Sequence, residues 1–61
     1  MKVRDIIKRV EVDGWVQVRV KGSHRIYKHP TKPGNVVIPG HPGKDLLPST
    51  LDNILKQAGL K

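Results

Sequence analysis

Three histidines, His24, His29 and His41, are the side chains of this protein suited to exchanging protons near neutral pH. His24 is the most suggestive of them. It follows Gly22-Ser23 inside "KGSHRIYKHP" and has Arg19, Lys21, Arg25 and Lys28 close by in sequence. Several chemistries fail on spacing alone. Ser23 and His24 are adjacent, which sends their side chains apart, and no acid stands where it could orient the imidazole for a Ser-His-Asp relay. His24 and His29 are five apart and would point to opposite faces of a strand. His41 could add only one more imidazole to either, so a metal site is not expected. There is no cysteine, no phosphate-cradling glycine loop and no carboxylate pair for general acid-base work.

RNA cleavage needs less. The substrate's own 2′-hydroxyl can attack the neighbouring phosphate, so the protein must supply one proton-transfer group and cations for the developing anionic phosphorane. The charge balance agrees, with 12 Lys and Arg against 5 Asp and Glu, a formal +7. On a domain this small, that is the footprint of a nucleic-acid binder. Charge names a class of partner and no reaction, so a passive RNA-binding module satisfies the same composition.

The elements that must position these groups are short. Sixty-one residues allow one domain, residues 1–61, with a small core and no enclosed cofactor site. Val3, Ile6, Ile7 and Val10 form the apolar stripe of a first helix that Asp13-Gly14 closes. Trp15 to Lys21 alternates as a half-buried strand, with Val16, Val18 and Val20 expected on the core side. His24 to His29 and Asn35 to Pro39 read as two more strands, separated by "PTKPGN". "PGHPGKD", Pro39 to Asp45, is a loop. The last helix opens near Pro48, or through a Ser49/Asp52 capping box, with Leu47, Leu51, Ile54, Leu55 and Ala58 as its apolar face. Gly59 ends it, and Leu60 folds back. The expected architecture is α+β, in the order α-β-β-β-α, with a three-stranded antiparallel sheet and both helices on one face. The other face would be open and basic. With no apolar run long enough for a membrane span and no basic-then-apolar leader, a cytoplasmic protein is the expectation.

Where His24 points depends on the hairpin. A two-residue Gly22-Ser23 loop of type II′ pairs Lys21 with His24, Arg19 with Ile26 and Val18 with Tyr27. It puts His24, Lys21, Arg19, Gln17 and Lys28 on the open face and turns Arg25 inward. A three-residue loop would invert this and send His24 toward the helices. The two-residue version makes the cleaner first strand. Trp15 and Tyr27 could stack on bases, although in a chain with no Phe they are more simply core or rim. His29, at a strand end beside Pro30, reads as a bystander, and His41 as a loop residue that positions backbone.

Gly14-Trp15, Arg19, Gly22-Ser23-His24 and Tyr27 resemble, in order, the pattern of the HicA family of mRNA interferase toxins. So do Val37-Ile38-Pro39, His41-Pro42-Gly43 and "PSTLDNILKQAGL" from Pro48 to Leu60. The resemblance spans nearly the whole chain. It implies a double-stranded-RNA-binding-domain-like fold and a ribosome-independent endoribonuclease that cleaves mRNA. It also implies a HicB-type antitoxin partner; from the chain's size and spacing, no cofactor is expected. The family's catalytic histidine falls on His24. Ser49 departs from a common glycine at the start of the last helix. Duplex-binding domains of this fold carry a lysine cluster at that helix start, whereas "KDLLP" here has one lysine and an acid, favouring single-stranded message. The expected site is therefore His24 as acid-base group and Gly22-Ser23 as its presenting turn. Arg19, Lys21, Arg25 and Lys28 are the RNA contacts, with His41 and Tyr27 as secondary candidates.

Overall fold

The computed structural model describes all 61 residues. It contains α1 (Val3–Val12), β1 (Val16–Lys21), β2 (His24–Lys28), β3 (Asn35–Ile38) and α2 (Pro48–Gln57). The strands form one antiparallel sheet in the order β1-β2-β3, so the α-β-β-β-α architecture read from the sequence is the architecture observed.

Each helix ends on a glycine that returns a hydrophobic residue to the core. After α1, Gly14 takes φ 106° and donates its N–H to Glu11 O, while the Trp15 N–H reaches Val10 O at 3.0 Å. After α2, Gly59 takes φ 70° and bonds Lys56 O, while the Leu60 N–H reaches Leu55 O at 2.8 Å. Both pairs are Schellman closures, which satisfy carbonyls that the helix end would otherwise orphan. The same device folds Trp15 and Leu60 inward.

The start of α1 is capped from a distance. Val3 and Arg4 donate their N–H groups to Lys44 O and Pro42 O at 2.8 and 2.9 Å, and Leu46 N–H bonds Met1 O. The Pro39–Asp45 loop, too rich in breakers for a helix or strand, thus supplies acceptors to a helix N-terminus across the fold. α2 begins with Pro48 at its first position, one of the two starts the sequence allows.

Val3, Ile6 and Val10 of α1, Ile54 and Ala58 at α2, and Tyr27, Val36 and Ile38 of the sheet are buried together with Trp15 in a single cluster. The helices therefore share one face of the sheet. Four residues expected on the core side, Leu47 and the three valines of β1, are absent from it. Leu47 precedes α2 and is 70% exposed, because Pro48 starts the helix one residue later and leaves Leu47 off its inner face.

The larger correction concerns β1, where Val16, Val18 and Val20 are 59%, 53% and 55% exposed. The register slips between Gln17 and Arg19, so Val18 lacks a partner and the side-chain parity changes there. Gln17 pairs with Tyr27, and Val16 pairs with Lys28. Gln17 therefore lies on the helix side, and Val16 lies on the open side. Val20, opposite Arg25, is on the helix side too, but the helices cover β2 and β3 and leave the β1 edge bare.

Candidate active site and nucleic-acid face

The hairpin that presents His24 has the two-residue register. Lys21 and His24 are directly paired, then Val20 with Arg25 and Arg19 with Ile26. Gly22 takes φ 60°, and no non-glycine residue has a positive φ. A positive value only at the first central residue is the signature of the type II′ turn. A Cβ on Gly22 would meet nothing within 4 Å, so the turn needs glycine for its backbone angle and not for space.

In this register His24, Ile26 and Lys28 of β2 share the open face with Arg19 and Lys21 of β1 and Asn35 and Val37 of β3. His24 is exposed, and so are Arg19, Lys21 and Lys28. Directly paired residues sit about 5 Å apart at Cα, so the Lys21 ammonium can reach any phosphate that touches the imidazole. Arg19 lies one same-face step, roughly 7 Å, further along.

The chain's acids are elsewhere. Asp13 pairs with Lys32, Asp45 with Lys2, and Asp52 with Lys56 and Lys61, while Asp5 bonds the Lys2 N–H. No ion pair involves Arg19, Lys21 or Lys28. The open face therefore carries uncompensated positive charge beside an accessible imidazole. No three His, Asp or Glu residues come close enough to hold a metal ion. Two surface clefts exist, one along α1 at Lys8, Arg9 and Leu60, the other between Pro39, Lys44, Leu47 and Thr50. Neither touches His24. The site is a surface suited to a long polyanion, with no enclosing pocket for a small substrate.

The remaining sequence candidates divide. Gly22 and Ser23 form the exposed turn. Arg25 is half-buried on the helix side, and its Nη1 donates to Gly40 O at 2.8 Å. It ties the Pro39–Asp45 loop to β2 next to His24, so the structure gives this cation a protein partner. His41, the next residue of that loop, is exposed at the same end of the sheet. Tyr27 is 1% exposed and its hydroxyl lies 3.4 Å from Gln17 Oε1. Burial raises its pKa above 10.0. No base can stack on its ring, nor on that of Trp15 at 2% exposure, without opening the core.

His29 has a role that the sequence reading missed. Its Nδ1 accepts the N–H groups of Thr31 and Lys32 at 3.0 and 3.1 Å, which leaves Nε2–H to donate to Asp13 O at 2.8 Å. The ring also meets Trp15 edge-on at 5.2 Å. His29 thus joins the end of α1 to the β2–β3 turn. The only sequence signal was a ring acceptor placed two and three residues before turn amides, as an Asn or Asp would be.

A small basic α+β domain results, with helices on one side of its sheet and a cationic face, carrying one histidine, on the other. A family model described as the HicA toxin of bacterial toxin-antitoxin matches residues 3–60. The chain belongs to the HicA toxin family. Its place is therefore on the toxin side of a bacterial toxin–antitoxin pair, which implies an antitoxin partner. No curated protein matches the chain.

Proposed function

We propose that this toxin acts as a metal-independent endoribonuclease on single-stranded mRNA, with His24 transferring the proton that the 2′-hydroxyl loses or the leaving oxygen gains. Lys21, paired with His24, binds the reacting phosphate, and Arg19 and Lys28 bind the phosphates on either side of it. Gly22-Ser23 holds the imidazole clear of the sheet, and His41, on the loop that Arg25 secures, is the candidate second group. A HicB-type antitoxin would silence the toxin by covering the same basic face. The observation that carries the reading is the direct pairing of an exposed histidine with Lys21 on a face whose cations have no acidic partners. An imidazole supplies acid-base catalysis, and neighbouring cations stabilise the dianionic transition state.

The test is a defined RNA incubated in chelator with wild type and His24→Ala, read on a gel. Wild type should cleave, and the variant should lose cleavage by about 100-fold or more. Intact RNA with wild type would leave a binding module, whose affinity should then fall with salt. Full cleavage by the variant would remove His24 from the mechanism.

A further inference from the structure

The two edges of the sheet are finished differently. At the β3 edge, α2 packs alongside and Gln57 Oε1 accepts the Val37 N–H at 3.2 Å. That outward amide is closed to another strand. β1, the opposite edge, pairs only with β2, and all six of its residues are exposed. Its sequence, VQVRVK, has the β-branched residues that a strand partner packs against. An open edge of this kind is a template for strand addition, and proteins usually blunt it.

Here the blunting is selective. Arg19 and Lys21 charge the edge, and the bulge at Val18 twists it. A second copy of the chain would bring its own +7 to the same edge and be repelled. RNA would use the cations but gain nothing from Val16, Val18 and Val20, each more than half exposed. An extended acidic peptide satisfies all three features, because its backbone fills the bare ladder, its apolar residues meet Val20 on the helix side and its carboxylates meet Arg19 and Lys21 on the open face.

We propose that β1 is a docking edge for an acidic, extended segment of a partner protein, which adds to the sheet as a fourth strand. The proposal rests on the toxin–antitoxin reading only in taking the antitoxin as the natural source of that strand. A strand seated there lies beside Arg19 and Lys21 and would block the approach of RNA without touching His24.

The readout is amide exchange and involves no cleavage, so its failure and a failure of the nuclease assay are separate results. A nine-residue peptide alternating Val and Glu, with blocked ends, is titrated into 15N-labelled protein, and amide exchange is followed residue by residue. Exchange of β1 amides should slow at least tenfold, while α1 is unaffected. The same peptide with Lys for Glu should do nothing. Val18→Pro puts a residue without an N–H into the edge at a position with no β2 partner and should weaken the effect at least tenfold. Should that variant fail to fold, Val20→Lys, at an exposed site, takes its place with the same expectation. No slowing in β1, equal slowing by the lysine peptide, or slowing in concentrated protein alone would each overturn the proposal. So would a short RNA that slows the β1 amides as strongly as the acidic peptide.

Discussion

His24 and His29 stand at the two ends of the same strand region and do opposite things. His24 opens β2 with an exposed ring and no protein hydrogen bond, facing Lys21. His29 follows β2 with both ring nitrogens engaged and its edge against Trp15. The five-residue spacing puts them on opposite faces, and the helices cover only one. An imidazole whose nitrogens are already committed to backbone partners is a fixed joint. One whose nitrogens are free can move a proton. The difference lies in what the fold supplies around each ring, since the residue type is the same.

That contrast is broken most decisively at His24. His24→Ala should cost about 100-fold or more in cleavage, with a melting temperature close to wild type, because the ring supports nothing. A comparable fall in melting temperature would show that the contrast is false.

The next largest effect is expected beside His29. Gly14 holds φ 106°, and a Cβ there would come within 2.7 Å of His29 Nε2. Gly14→Ala should destabilise by roughly 2 kcal/mol from backbone strain alone. In a domain this size that lowers the melting temperature by roughly 8–16 °C. His29→Ala should cost somewhat less, about 1–2 kcal/mol, because water can reach some of the groups it leaves unpaired. At a temperature where the variant is folded, its cleavage of RNA should match wild type. Thermal melts followed by circular dichroism, with cleavage assayed on the same samples, separate the two histidines.

How much of this was legible depends on how local the cause is. The helix ends were, because Gly14 and Gly59 supply the one backbone angle a Schellman closure needs. The hairpin register was also legible, since Gly22 in first position suits one turn type. The bulge was not. VQVRVK alternates without a break, and nothing in it says that Val18 will lose its partner and turn Gln17 inward. Nor could alternation reveal that two ten-residue helices are too small to cover three strands, which leaves the β1 valines outside. Arg25 reads as one more cation until Gly40 O is seen beside it. Long-range pairing decided these cases, and composition carries no trace of it.

The finest test of the fixed-joint end is its pH response. Asp13 precedes Gly14, and its carboxylate is bonded by the Lys32 ammonium, which also donates to Ala58 O. That bond and the attraction of Lys32 hold the Asp13 pKa below its ordinary 3.8, against a smaller opposing effect of desolvation. A carboxylate whose pKa is lowered by folding contributes stability that is complete above its unfolded value. The contribution disappears as pH falls through the folded value. Melting temperature should therefore be insensitive to this pair from neutrality down to about pH 5, then fall below about pH 4. Asp13→Asn should be less stable than wild type at neutral pH, and the gap between them should narrow at pH 2–3. A gap that stayed constant across that range would mean the Lys32–Asp13 bond adds nothing to the joint, leaving His29 and the Gly14 turn to hold it alone.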